Sequence, residues 1–252
     1  MDLSLLVWIS IENCISLFLQ NLFYEAQKMI IAIHQPNYLP YLGFFDKMKW
    51  SDLFVIYDDA QFNKGDFQHR NKIRIYNGWK WLTVPVEKKQ IPIKDIKIKN
   101  HVTTWKGIKW SDSHFMEIRD NYKDTPYYST YETELISIYK KKYDRLIDLN
   151  MVIINFLKKV FDIDTKIVFS SDLGFISKST ERLVEIVEAL GGDIYLSGPK
   201  GRDYLEVLLF EKKGIKVEFQ AFKSPVYKQR YEGFIPNLSA IDALFNVGEI
   251  PK

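Results

Sequence analysis

Met29-Ile30-Ile31-Ala32-Ile33-His34-Gln35-Pro36-Asn37-Tyr38-Leu39-Pro40 is the stretch whose reading decides the fold. Five apolar residues followed by a histidine read as a short strand buried on both faces. Pro36 and Pro40 then forbid regular structure between them, because neither can donate a backbone hydrogen bond. Apolar residues at Leu42, Phe44, Phe45, Met48 and Trp50 predict one helix. Leu53-Phe54-Val55-Ile56-Tyr57 predicts a second buried strand ending in Asp58-Asp59. Two buried strands joined by a helix form a β-α-β unit, whose strands run parallel.

Working outward, Lys72–Tyr76 and Trp79–Val84 predict a hairpin around Asn77-Gly78, since that dipeptide favours a two-residue turn. Ile91, Ile93, Ile96 and Ile98 suggest another extended piece. The pattern from Thr103 to Tyr122 is mixed, and helices follow around Tyr131–Tyr143 and Asp144–Phe161. The last ninety residues then alternate. Strands are expected at Lys166–Phe169, Asp193–Leu196 and Ile215–Phe222. Helices are expected at Ser177–Leu190, capped by Ser177 or Ser179, at Arg202–Lys213 and at Ser239–Phe245. This alternation implies an α/β, Rossmann-like, mostly parallel sheet with helices on both faces, plus an edge hairpin and a helical middle segment about 103–161. A mixed sheet with the hairpin at its edge is the competing architecture. Residues 29–252 read as one domain.

Composition narrows the function. With 35 basic against 32 acidic residues, the net charge of +3 implies no polyanionic partner, so nucleic acid is not expected. Basic runs such as Lys94–Lys99 and Lys140–Lys142 read as solvated faces. The single cysteine, Cys14, excludes an intrachain disulfide and fits a reducing compartment. Residues 1–28 are apolar but begin Met-Asp, unlike a signal peptide. As a membrane span they would carry Glu12 near the centre, at a cost of about 3 kcal/mol. They read as an over-extended or loosely attached start, so no stable membrane span and a cytoplasmic location are expected.

Three polar clusters lie just past the carboxyl ends of predicted strands: His34-Gln35-Pro36-Asn37-Tyr38, Asp58-Asp59-Ala60-Gln61 and Ser197-Gly198-Pro199-Lys200-Gly201. Open parallel sheets bind ligands in the crevice outside those ends. His34 is the candidate for proton transfer, since imidazole titrates near neutrality; a histidine satisfied by backbone groups in a stiff turn is the plainer alternative. Asp58 and Asp59 could orient it, hold a hydroxyl, or simply cap the turn after the strand. Gln35, Asn37, Tyr38 and Gln61 complete those two clusters as candidate substrate contacts.

In Gly65–Asn71, Arg70 can clasp a carboxylate or phosphate, with Asn71 beside it. The Ser197, Gly198, Lys200, Gly201 turn suits an anion, although neither Walker A nor Gly-x-Gly-x-x-Gly is present. Asn237 and Asp242 belong to a helix entry, where Ser239 or Asn237 as cap explains them equally well. No His/Asp/Glu set has ligand spacing, so no tightly bound metal is expected. No cofactor is expected either.

The stretch His34–Phe45 resembles the opening motif of WbqC-like proteins. Asp52–Gln61, Arg70-Asn71-Lys72-Ile73, Trp81–Val86, Tyr195–Gly201 and Phe234–Asn246 are similar to further motifs of that family, in the same order. The resemblance covers residues 29 to about 248 and implies a role in O-antigen and related surface-polysaccharide synthesis. It further implies an acyl or aminoacyl transferase, glycyl transfer included, acting on a nucleotide-linked amino sugar. The partners would be that sugar nucleotide or amino sugar and an acyl or aminoacyl donor. The family brings no agreed catalytic residue. Nucleotidyl transfer and non-catalytic sugar-nucleotide binding are the alternatives. The sequence does not fix the oligomeric state.

Overall fold

The computed structural model describes residues 28–87 and 89–251. All but the last residue of the 1–28 segment therefore lies outside the described residues. The strands in chain order are β1 (Ile30–His34), β2 (Leu53–Ile56), β3 (Arg70–Ile75), β4 (Gly78–Thr83), β5 (Lys166–Phe169), β6 (Ile194–Ser197) and β7 (Lys216–Phe219). The helices are α1 (Leu42–Lys49), α2 (Trp110–Tyr122), α3 (Tyr128–Lys140), α4 (Leu146–Val160), α5 (Ser179–Ala189), α6 (Val207–Glu211) and α7 (Ile241–Val247).

Five strands form one parallel sheet in the order β5-β2-β1-β6-β7. The chain starts at the centre, winds outward through β2 and β5, then returns to β6 and winds the other way. With right-handed crossovers the two halves place their helices on opposite faces. Side chains alternate across the sheet to match. Ala32, Phe54, Ile56 and Leu196 pack with Phe44, Phe45 and Met48 of α1 and Ile153 and Leu157 of α4. Ile31, Ile33, Leu53, Val55 and Tyr195 pack with Leu183, Ile186 and Val187 of α5 and Phe210 of α6. Each of the larger apolar side chains so buried contributes on the order of 2 kcal/mol. Both faces of the sheet are covered, as the alternation requires.

Strands β3 and β4 form their own two-stranded antiparallel sheet. Ile75 pairs with Gly78, so the turn is Tyr76-Asn77, one residue earlier than Asn77-Gly78. Gly78 has φ of 139°, a conformation open to glycine, and so works as the first paired residue. The hairpin is held by α2, whose Tyr122 hydroxyl accepts from the Arg74 N–H at 2.9 Å, and by the entry to α7, where the Ser239 N–H donates to the Lys72 carbonyl at 2.9 Å.

Three other expectations change. Helix α2 occupies most of the stretch whose pattern was mixed. The isoleucines at 91–98 form a 3-10 turn, Ile93–Asp95, flanked by the single bridges Gln61↔Pro92 and Val86↔Ile98. In place of a helix over Arg202–Lys213 there is a 3-10 turn, Pro199–Asp203, and the short α6. Tyr204, at φ −140°, breaks the helical path between them.

Candidate functional site

In this strand order β1 and β6 are neighbours whose following connections leave on opposite faces, which is the switch point where ligands enter such sheets. The backbone bonds show where the two strands part. Along β1 the carbonyls of Ile30 and His34 accept from Asp52 and Tyr57 beside β2, at 2.9 and 2.8 Å. That of Met29 accepts from Asp193 and Ile194 beside β6. By this alternation the Ile33 carbonyl points toward β6. Pairing of β1 with β6, however, stops at Ala32↔Leu196, while pairing with β2 continues to His34↔Ile56. The strands fork at Ile33. Its carbonyl is taken instead by the Lys47 ammonium of α1, Nζ to O 2.7 Å.

His34 stands on one prong of this fork, half-buried, its ring edge-on to Phe44 at 4.9 Å. Its Nδ1 lies 2.9 Å from the Gln35 carbonyl. A carbonyl only accepts, so Nδ1 carries the hydrogen and Nε2 of the neutral ring is left as an acceptor. Burial first, then the Lys47 ammonium, lower the pKa to about 3, with the Gln35 carbonyl pulling the other way. The imidazole is therefore neutral at pH 7.

The loop after His34 is fastened from several sides. Asn150, fully buried in α4, donates to the carbonyls of Pro36 (3.0 Å) and Gln68 (2.8 Å). Gln68 donates to the Gln35 side-chain oxygen at 2.7 Å. The Tyr38 N–H donates to the Phe67 carbonyl at 3.0 Å, and Asn71 to the Leu39 carbonyl at 2.6 Å. The Ala240 N–H reaches the Pro40 carbonyl at 2.8 Å. These partners hold Leu39 at φ 45°, a left-handed conformation that a leucine adopts at a cost of about 1 kcal/mol or more. The Tyr38 hydroxyl points inward, 2.8 Å from His114 Nδ1 and 2.6 Å from the Tyr139 hydroxyl.

The other prong ends in Ser197, which is 1 % exposed, and turns through Gly198 to Gly201. Gly201 is dictated by packing: a Cβ there would sit 2.1 Å from Ser197 Oγ and 2.9 Å from Leu205 Cδ1. Gly198 is different. Its φ of −68° is ordinary and a Cβ would meet nothing within 4 Å. Lys200 and Arg202 are exposed beside it, with the Arg202 guanidinium 4.3 Å over the Phe219 ring.

Asp58 and Asp59 follow β2, one strand over. Asp58 accepts from the Ser171 N–H (3.0 Å), the Ser171 hydroxyl (2.8 Å) and the Ser170 hydroxyl (3.1 Å). Asp59 accepts from the Ser170 hydroxyl at 2.5 Å and pairs with Arg182 of α5. Asp58 thus holds the Ser171 N–H of the 3-10 turn Ser170–Leu173 after β5, and Asp59 anchors the same turn through the Ser170 hydroxyl. Among the described residues neither hydrogen-bonds His34.

The remaining sequence candidates separate. Asn37 is buried in the loop, and Asn71 and Tyr38 belong to its fastening. Gln61 is exposed at its bridge to Pro92. Arg70 lies 4.4 Å over the Trp81 ring and donates to the Gly65 carbonyl. Asn237, with φ 57°, lines a shallow depression with Tyr41, Leu42, Phe222, Ser224 and Tyr227. Asp242 is fully buried and accepts from Tyr122 (2.8 Å), Tyr227 (2.7 Å) and Gln229 (2.9 Å). Burial raises its pKa while those donors oppose the rise. Ser239 Oγ is 3.5 Å from the Ile241 N–H, too long for a strong cap.

Sequence reasoning passed over Lys47, Asn150, His114 and Arg182, all buried polar residues. The signal was present in each case: the residue stands where an apolar side chain would continue a helix's buried stripe. Among the described residues no group of three or more His, Cys, Asp or Glu could hold a metal ion. No described helix is long and apolar enough to cross a membrane.

The uncharacterized protein Rv1507c of Mycobacterium tuberculosis (strain ATCC 25618 / H37Rv) is 32% identical over 222 residues, covering 86% of this chain and 94% of its own length. No solved structure matches the chain. The profile of the WbqC-like protein family matches residues 35–250, from the fastened loop after His34 to the residues just beyond α7. The chain therefore belongs to the WbqC-like protein family.

Proposed function

We propose that the chain is a transferase of surface-polysaccharide synthesis that adds an acyl or aminoacyl group, glycyl included, to a nucleotide-linked amino sugar. Residues 29–252 would act as one domain, in the cytoplasm. The observation that carries this reading is the 2.9 Å contact of His34 Nδ1 with the Gln35 carbonyl at the fork, which assigns the hydrogen to Nδ1 and leaves Nε2 as an acceptor. Such a nitrogen orients a sugar amine by accepting its N–H. As the amine attacks an activated acyl carbon, positive charge builds on nitrogen. The C–N bond forms, the bond to the donor's leaving group breaks, and the amine proton passes through Nε2 to that leaving group. A ring held neutral by burial takes the proton only as that charge develops. Lys200, Arg202 and the open backbone at Gly198 suit the anionic part of the sugar nucleotide.

The test is incubation of the purified protein with nucleotide-linked amino sugars and activated acyl or aminoacyl donors, read as product mass. Turnover by wild type and its loss in His34→Ala is the expected result. Turnover that survives in His34→Ala removes the imidazole from its role. A second reading, binding of the sugar nucleotide without chemistry, is favoured by one observation: Asp58 and Asp59 are engaged with Ser170, Ser171 and Arg182. Saturable binding with no product from any donor would select it.

A further inference from the structure

Lys47 is 2 % exposed, and its ammonium has one hydrogen-bond partner among the described residues, the Ile33 carbonyl. An ammonium offers three donors and gains from a counter-charge when buried. Among the described residues no ion pair supplies one. Asp46, its neighbour on α1, accepts instead from Gln220 at 2.5 Å. Asp58 and Asp59 bond Ser170, Ser171 and Arg182 on the far side of β2. From β6 the fork receives Ser197, which carries no charge. The charge is thus fixed beside the backbone that leads into His34, and no described residue of opposite sign pairs with it.

We propose that Lys47 is a positioning residue whose buried ammonium, pinned to the Ile33 carbonyl at the fork between β1 and β6, keeps the His34 imidazole unprotonated and its Nε2 available as an acceptor. The inference rests on the role given to His34 above, but concerns its proton state rather than its turnover. Burial is the larger cause of the neutral ring, and the like charge of Lys47 adds to it, so that the pair carries one proton where two isolated groups would carry two. Burial lowers Lys47 to about 7. Below that value, where a free imidazole would titrate, Lys47 is charged and opposes a proton on the ring. Over the interval from about 7 down to about 3 the pair's one proton resides on Lys47. The Phe44 ring, edge-on to the imidazole, excludes water from one side and strengthens the effect.

The test uses nuclear magnetic resonance of the side-chain nitrogens, which needs no substrate and so fails or succeeds separately from the transfer reaction. In wild type the Lys47 Nζ should titrate near pH 7. His34 should keep the Nδ1–H tautomer with unprotonated Nε2 from pH 8 to 5. In Lys47→Met, shown folded by its spectrum, His34 should bind a proton at least tenfold more tightly. Lys47→Arg should keep the wild-type histidine spectrum over the same range. A wild-type Lys47 titrating near its ordinary value of 10.5, or a His34 proton affinity unchanged in folded Lys47→Met, overturns the proposal. Should Lys47→Met not fold, the wild-type titration decides alone.

Discussion

The side-chain amide of Asn150 donates to the Pro36 carbonyl at 3.0 Å, tying the middle of α4 to the loop that leaves β1. The same amide holds the Gln68 carbonyl, so two loops converge on one fully buried residue. Asn150→Leu leaves two buried carbonyls unpaired and should lower stability by about 2–3 kcal/mol. Urea unfolding checks this, and His34 resonances should broaden in the variant as the loop loses its anchor.

The two glycines of the β6 turn should behave oppositely. Gly201→Ala drives a methyl into Ser197 Oγ and Leu205, and should lower the thermal midpoint by several degrees, since overpacking costs about 1–3 kcal/mol. Gly198→Ala meets nothing, so its stability should stay within about 0.5 kcal/mol of wild type. If the anionic group of a sugar nucleotide approaches the Gly198 backbone, the same variant should bind that ligand at least tenfold more weakly by calorimetry. Unchanged binding would place the anion elsewhere.

Asp242 joins three donors from two other parts of the chain, Tyr122 on α2 and Tyr227 and Gln229 before α7. Asp242→Ala strands all three and should cost about 3–5 kcal/mol. Chemical denaturation measures it. Because Tyr122 also accepts from the Arg74 N–H, amide exchange in β3 should rise in the variant as well.

Acid should destabilise the fold through two histidines. His34 and His114 are each lowered to about 3, by burial above all, from an ordinary 6.5. Between those values the unfolded chain binds a proton at each that the folded chain does not. Their contribution is therefore complete above about pH 6.5 and lost as pH falls toward 3, at up to roughly 1.4 kcal/mol per pH unit for each ring. The half-buried His34 contributes the smaller share. Urea midpoints between pH 7 and 5.5 should decline, and His114→Gln should remove about half of the decline or more. Lys47 works at the other end: its lowered value means that stability rises as pH climbs from about 7 toward 10.5.

Much of the fold was legible because strands buried on both faces read as apolar runs, and a sheet with this winding needs little else. Ile30–His34, Leu53–Ile56 and Lys166–Phe169 stand where those runs do. Helix α2 was hidden for a physical reason. Its buried residues, Trp110, His114, Ile118 and Tyr122, recur every four positions, but three of them carry polar atoms. The stripe has helical spacing without apolar character. Lys47 falls three residues after Phe44, and Asn150 four after Leu146, on the buried faces of their helices. Amphipathic reading assigns such polar residues to solvent, yet the tertiary structure gives each a carbonyl to hold. The hairpin turn shifted by one residue because Gly78 takes its unusual φ inside the paired strand.

The two sides of the fork differ in what they can do when a molecule arrives. On the His34 side, every step from Gln35 to Pro40 except Asn37 is gripped by another part of the chain, down to a leucine held in a left-handed turn. On the β6 side, Pro199–Asp203 is a short turn with Lys200, Arg202 and Tyr204 standing in water. Local opening begins where exposed backbone bonds are many and buried contacts few. If a ligand enters at the fork as proposed, accommodation to its bulk falls to the β6 side, while the β1 side acts as a fixed template. Selectivity for the reacting group and tolerance for the rest of the molecule would then fall to different halves of the sheet.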